Sequence, residues 1–423
     1  MPLAAPTSKS LIFVFLTVLL SMIGLGIIMP VMPALIMELT GTNVSGAAAL
    51  GGYLLLVYAA MQFVMSPILG ALSDRYGRRP VILISLLASS VDLAFMALAP
   101  TYAWLFVGRM IAGATAAVFA TANAYIADVS TPEKRAANFG LMGAAFGLGF
   151  IFGPIIGGIF GEIGPRWPFI AASALGFLNF LYGLVVLPET LSEENRRRFD
   201  WRRANPFGGL ASMARYPVVI GVLSAYFLMQ LAHNSLPAVW AYFSKLKFGW
   251  SEAQIGLSLA FVGFTAAIVQ GGLTRVIIPK IGETRSVVLG MAAMVASLLG
   301  YAFFTPTGNY VYLWIVVGAL GGFMMPGMQG IMSRATPPNE QGELQGAIAS
   351  LMSITMMVSP FTMTQIFAYF TDTEEGRNFP GAPYAVGAGL IVISAIPFIL
   401  TMRKVPSRDA ADRETPAPEK APT

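Results

Sequence analysis

Asp92, Arg109 and His233 each interrupt a long apolar stretch, in SSVDLAFM, LFVGRMIAG and QLAHNSLP respectively. An aspartate can take up and release a proton, and an arginine beside it can hold the carboxylate ionised. An imidazole titrates near about 6.5 when unperturbed, so small changes in hydration switch its charge. Within lipid an ionisable group at a helix centre costs at least about 2.5–3.5 kcal/mol, so each needs a partner or a task. Asp92 stands about eight residues before the turn at Pro100, and Arg109 a similar distance after it. At about 1.5 Å per residue both fall roughly 12 Å from that turn, on antiparallel neighbours. They can therefore pair, and a paired aspartate carries protons poorly until substrate or a conformational change separates it from its partner. A permanent structural pair is the competing reading, as a histidine bonded only to its neighbours is for His233. Gln230 lies one turn before His233 on the same face, and Asn234 follows it. Gln62, Asn123, Gln270 and Gln329 are further polar side chains inside apolar stretches, candidates to line a substrate cavity.

Composition says what elements must position these groups. Of 423 residues, 56% are apolar and 11% charged, roughly half the charged share of a soluble domain. Mean hydropathy is +0.69. The apolar residues fall into twelve runs, about 10–31, 48–70, 80–98, 102–126, 137–160, 166–188, 217–243, 252–276, 286–305, 309–332, 344–369 and 384–402. Each is long enough to cross a hydrocarbon core of roughly 30 Å as a helix. They are rich in Gly and β-branched residues and lack a two-residue alternation, which predicts helices and excludes barrel strands. The first run is too long for a cleaved signal peptide, and no Ala-x-Ala site precedes Pro33. The expectation is an all-α integral membrane protein.

Lys and Arg set its orientation. With the N-terminus in the cytosol, Lys9, Arg75, Arg78, Arg79, Lys134, the arginines from Arg196 to Arg215, Lys280, Arg285 and Arg334 all fall on cytosolic segments. The outer loops then keep only Arg166, Lys245, Lys247 and Arg377. That skew predicts both termini inside. The net charge of +5 is thus a signal of topology and gives no reason to expect a nucleic-acid partner.

The longest polar break, Pro188 to Pro217, divides the runs six and six, and the halves repeat one another. ADVSTPEKRAANFG follows the fourth run and SRATPPNEQGELQG the tenth; at one constant offset Pro132 matches Pro338, Gly140 matches Gly346 and Pro154 matches Pro360. The predicted organisation is a six-helix bundle over 1–190, a cytosolic loop over 191–216, a second six-helix bundle over 217–404, and a disordered tail over 405–423. The tail is polar and rich in Pro and Ala.

Between the second and third runs stands a charged island, LGALSDRYGRRPVIL. Gly70 and Gly77 permit a close approach and a turn that a Cβ resists. Asp74 can meet Arg75, Arg78, Arg79 or a neighbouring helix N-terminus. Asp128 lies within reach at the inner end of the fourth run. The fifth run carries glycines four apart around Pro154, among them Gly149, Gly153, Gly157 and Gly161. These give a smooth face for close helix packing, and Pro154 predicts a kink.

GALSDRYGRRP resembles the signature loop of the major facilitator superfamily. LFVGRMIAGATAAVF resembles its fourth-helix motif, centred on Arg109, and GLGFIFGPIIGG the fifth-helix motif of its exporters, centred on Gly153 and Pro154. The resemblance covers essentially the whole chain. It implies twelve transmembrane helices in two pseudo-symmetric six-helix bundles, the major facilitator fold. Within that superfamily, SDRYGRRPV, FGLGFIFGPIIGG and QGELQG look most like the tetracycline–proton antiporters. The resemblance implies that the island (Gly70, Asp74, Arg75, Gly77, Arg78, Arg79) and Asp128 latch the halves on the cytosolic side in one state, and that the Gly153–Pro154 face slides or bends during transport. It also matches Arg109 and Asp92 to functional positions of that group. Three departures stand against it. Ser21 occupies the position of the group's first-helix acid, FVGFTAAIVQGG lacks its eighth-helix histidine, and VVLGMAAMVASLLG lacks its ninth-helix aspartate.

The expected function is a secondary transporter of the bacterial cytoplasmic membrane, exporting small amphipathic organic molecules by proton-coupled alternating access, with tetracycline itself doubtful. His233 would take over part of the proton route. The expected partners are substrate, protons and lipid; the protein is expected to act as a monomer. No ATP, metal or other cofactor is expected, because the motif G-x-x-x-x-G-K-[ST] is absent and there is no cysteine and a single histidine. The same scarcity of ligands argues against an enzyme. An uptake permease for a metabolite or siderophore remains an alternative on the same fold, and a non-transporting receptor or enzyme a remote one.

Overall fold

The computed structural model describes residues 8–116, 118–196 and 212–404. The tail over 405–423 and most of the loop over 191–216 lie outside the described residues. Lipid supplies no hydrogen-bonding partners, so each apolar run satisfies its own backbone as a helix. In chain order these are α1 (Ser8–Thr40), α2 (Val44–Tyr76), α3 (Arg78–Leu98), α4 (Tyr102–Thr115), α5 (Val118–Val129), α6 (Pro132–Ile163) and α7 (Trp167–Val186). The second series is α8 (Pro217–His233), α9 (Ser235–Phe248), α10 (Glu252–Ile268), α11 (Thr274–Ile281), α12 (Glu283–Phe303), α13 (Tyr310–Ala319), α14 (Met324–Arg334), α15 (Gln341–Phe370) and α16 (Ala382–Met402).

Eleven continuous or nearly continuous helices among the described residues are long and apolar enough to cross a membrane. The run expected over 102–126 is divided into α4 and α5, which is why the length criterion passes over it. Its counterpart in the second series is interrupted too: a 3-10 turn, Leu320–Phe323, separates α13 from α14. The constant offset of the sequence repeat carries Ala116, where α4 ends, onto Gly322. A π-helical turn, Val269–Leu273, joins α10 to α11, and the chain turns at Asn234 between α8 and α9. α6 carries Pro154 within one continuous helix, since a missing N–H in lipid is tolerated where neighbouring groups re-satisfy the freed backbone.

Packing follows the repeat. In the first series α1 lies on α6 and α7, α3 on α7 and α4, and α2 on α4; in the second, α8 lies on α15 and α16, α12 on α16 and α13, and α10 on α13. The two series meet along α2–α15 and α6–α10, which exchange places under the same repeat. Two glycines at matching junctions have positive φ, Gly77 (108°) between α2 and α3 and Gly282 (83°) between α11 and α12. Only a residue without Cβ takes that turn cheaply.

The halves touch at one end and separate at the other. At the end away from the chain termini, here the far end, Ser45 Oγ bonds the Thr371 carbonyl at 2.8 Å, Gln365 Nε2 donates to the Ala49 carbonyl at 3.0 Å, and the Ala253 amide donates to Glu162 Oε1 at 3.0 Å. A Cβ on Gly51 would collide with Tyr242, and one on Gly158 would lie 3.0 Å from the Ala253 Cα. Further along the same stripe of α6, Gly147, Gly143 and Gly140 face open space, as do Gly271, Gly272, Gly342, Gly346 and Gly70. The near end, where the described chain begins and ends, is therefore splayed.

Candidate functional site

Asp92 on α3 and Arg109 on α4 form an ion pair through Oδ2 and Nη2, as their equal distance from the Pro100 turn requires. Both are buried, with 4% and 7% of their surface exposed. The Arg109 guanidinium also lies 5.3 Å from the centre of the Tyr58 ring on α2. Gly108 makes the approach possible, since a Cβ there would stand 3.1 Å from Asp92 Oδ1. The pair is only partly satisfied: Asp92 Oδ1 and Arg109 Nε find no hydrogen-bond partner among the described residues. Both line a cavity of about 80 Å³ whose walls come from α1, α2, α3, α4 and α7, and Ser21 lines it too.

The other polar candidates are placed elsewhere. His233, the last residue of α8, is exposed, with Gln230 7% exposed one turn earlier. The Asn234 backbone amide bonds the Gln230 carbonyl at 3.2 Å, and Asn234 Nδ2 is buried without a partner among the described residues. The structure does not bring His233 to the Asp92–Arg109 pair, whose cavity is built wholly from the first series. Asn123 and Gln270 are exposed, Gln62 and Gln329 partly so. Gln270 belongs to the π-helical turn and packs on Gly322 of the 3-10 turn, 3.2 Å from where a Cβ would stand. The two irregular turns of the second series thus meet at a glutamine.

The charged island gathers at the near end. Arg78 binds Asp74 at 2.5 Å, Asp128 at 3.1 Å and Ser73 Oγ at 2.6 Å. Arg79 donates to the Leu184 carbonyl at 2.7 Å, and Arg75 is exposed with its guanidinium over the Tyr76 ring. The sequence reading missed Glu189, just past α7. Its carboxylate accepts the amides of Arg78 (2.8 Å) and Arg79 (3.2 Å), capping the N-terminus of α3, where orphan N–H groups and the helix dipole favour an anion. A Cβ on Gly77 would collide with that carboxylate, a second reason for glycine there. All these partners belong to the first series, so in this conformation the island ties that series together and, among the described residues, makes no bridge to the second.

The second series carries the same tie with the charges exchanged. Glu283, at the start of α12, pairs with Arg334, at the end of α14, through both carboxylate oxygens. Arg78 and Asp128 stand at the starts and ends of the matching helices. Beside it, Arg215 pairs with Glu340 at 2.6 Å and Tyr216 donates to the same carboxylate at 2.8 Å. That hydrogen bond raises the Tyr216 phenol above its ordinary value. Glu283 immediately follows the repeated junction glycine, Gly282, within KIGETR, which was the available signal.

Gly153 and Pro154 lie at the crossing of α6 with α1. A Cβ on Gly153 would stand 2.8 Å from the Gly26 Cα, and one on Gly26 2.7 Å from the Pro154 ring. Gly149 and Gly157 press on α1 in the same way, while Gly158 and Gly161 face Glu252 and Ala253 at the start of α10. The glycine face thus serves two helices, one in each series.

A sequence profile described as Major Facilitator Superfamily matches residues 14–360. The class C tetracycline resistance protein of Escherichia coli is 38% identical over 389 residues, covering 92% of this chain and 96% of that one. The class G protein of Vibrio anguillarum is 38% identical over 385 residues, covering 91% and 96%. Among solved structures, the nucleoside transporter NupG superposes with a TM-score of 0.75 at 13% identity, covering 94% of this chain and all of that one. A bacterial homologue of the lysosomal transporter Spinster, in an inward-facing and unoccupied conformation, gives 0.73 at 17% identity over 97% and 99%. At such identities the structures speak for the fold alone.

Proposed function

Since the chain belongs to the major facilitator superfamily, whose members are transporters and not enzymes, we propose that it is a proton-coupled exporter of small amphipathic organic molecules. It works as a monomer in the bacterial cytoplasmic membrane by alternating access between the bundles 1–190 and 217–404. The near end faces the cytosol, so the splayed state is open inward. Asp92 is the proton carrier, Arg109 sets its charge, the exposed residues Asn123 and Gln270 meet the substrate, and His233, also exposed, takes over part of the proton route. The island on Arg78 and the exchanged pair Glu283–Arg334 hold each bundle rigid at its moving end.

The observation that carries this reading is the buried, half-satisfied Asp92–Arg109 pair in a chain 38% identical to a tetracycline resistance protein. A wholly structural pair gains most by satisfying every polar atom, whereas a working one keeps a lone pair free to take a proton. Ser21 in place of the group's first-helix acid leaves Asp92 as the ionisable carboxylate at this depth in the first bundle. That favours amphipathic substrates other than tetracycline.

The test is transport in proteoliposomes under an imposed pH gradient, with a panel of amphipathic drugs that includes tetracycline. Asp92→Asn should abolish uphill flux while the protein stays folded and still exchanges substrate down its gradient. Undiminished uphill flux in that variant would remove Asp92 from coupling. Accumulation inside cells, in place of extrusion, would favour the uptake alternative.

A further inference from the structure

The cavity beside the ion pair is more than leftover space. Asp92 Oδ1 lacks a donor and Arg109 Nε–H lacks an acceptor, both line it, and both side chains are more than nine-tenths buried. Its walls also carry Ser21, Ser89, Thr115 and Asn179. Two buried groups with opposite hydrogen-bonding demands call for a small ligand that donates and accepts at once. A simple anion or cation satisfies one and repels the other. The volume of about 80 Å³ is several times the roughly 10–15 Å³ that one water needs by the same measure, and the polar side chains offer a few waters further hydrogen-bonding partners. Ser89, one turn from Asp92 towards the near end, lines the cavity and is exposed, giving solvent a way in.

We propose that this cavity is a water site, in which a small cluster bridges Asp92 Oδ1 and Arg109 Nε and conducts protons between the near-end solvent and Asp92. The second clause rests on the coupling role proposed for Asp92; the first stands without it. In the forward step a hydronium in the cluster gives its proton to Asp92 Oδ1, leaving a neutral water and a carboxylic acid. Loss of the charge frees Arg109 to bond water, and the reverse step regenerates hydronium. The groups that face Asp92 are Arg109 from α4 and Tyr58 from α2; α1 and α7 contribute Ser21 and Asn179, which do not titrate in this range.

Gly24 allows a test that leaves the pair untouched. It lines the cavity, and a Cβ there would meet only the Leu93 side chain, at an ordinary 3.8 Å. Gly24→Val should fill the space, with Gly24→Ala as the milder variant. Radiolytic hydroxyl-radical labelling of the protein in membranes reports water beside buried side chains. Leu86 and Leu93 line the cavity at 3% and 6% exposure, whereas Leu298 and Leu344 are packed elsewhere at 1% and 0%. In the wild type the first two should label severalfold more than the second two, and Gly24→Val should erase the difference. The same variant should lower gradient-driven flux at least about tenfold, as expected for a lost proton relay, while exchange without a gradient persists. Equal labelling of the four leucines in the wild type overturns the water site. Lost labelling with unchanged flux overturns its proton-conducting role. Full coupled flux in Asp92→Asn overturns the coupling reading and leaves the water site to be judged by labelling alone.

Discussion

A carboxylate and a guanidinium meeting inside a bilayer are bound to each other more by the cost of parting than by their attraction. Removing one partner strands the other without water, at about 3–5 kcal/mol, whereas removing both charges together can be nearly neutral. Arg109→Leu should therefore lower the thermal unfolding midpoint in detergent markedly, and adding Asp92→Asn to that background should recover most of the loss. A single variant as stable as the wild type would mean that Asp92 is not held as a buried anion. The pair itself was legible because a tight turn at Pro100 puts the two residues at one depth. The aromatic face of Tyr58 and the cavity were not, since both depend on how α2, α1 and α7 close around the pair.

At the scale of elements, the α6 glycines separate into those that touch a neighbour and those that do not. Gly153→Leu has no room, with the Gly26 Cα 2.8 Å from its Cβ position. It should destabilise by at least the roughly 1–3 kcal/mol of an overpacked core. Gly143→Leu enters open space in this conformation and should leave the unfolding midpoint where it is. If the near end closes during transport, α6 and α10 must meet there, so the same variant should lose turnover while still binding substrate. A stable Gly143→Leu protein with wild-type turnover would argue that the two helices never approach at that level. The spacing of these glycines predicted a packing face, but not that it serves α1 on one flank and α10 on the other.

For the whole molecule, contacts gathered at the far end and open space at the near end define a single conformation, one of the two that the proposed alternating access requires. The proposed orientation makes that state open to the cytosol. Cysteines introduced at Gly140 and Gly346, where nothing lies within 4 Å, should react with a membrane-impermeant maleimide in inside-out vesicles and not in intact cells. A cysteine at Ser45, 8% exposed and bonded to Thr371, should resist labelling in resting cells and become reactive when the far end opens. Labelling of Gly140→Cys from outside the cell would reverse the orientation.

The sequence by itself determined the helices, their number to within one interrupted span, the repeat and the depth of the ion pair. These are local consequences of apolar run length, turn position and a solvent that offers no hydrogen bonds. Tertiary structure alone decided which partners the charges found. Glu189 beneath Arg78 and Glu283 against Arg334 bring together residues far apart in the chain, and the open flank of Gly143 likewise depends on where the other helices stand. Which end of the bundles closes is also absent from the sequence pattern, because apolar run length and periodicity fix helices and their buried faces but not which contacts between the halves are made.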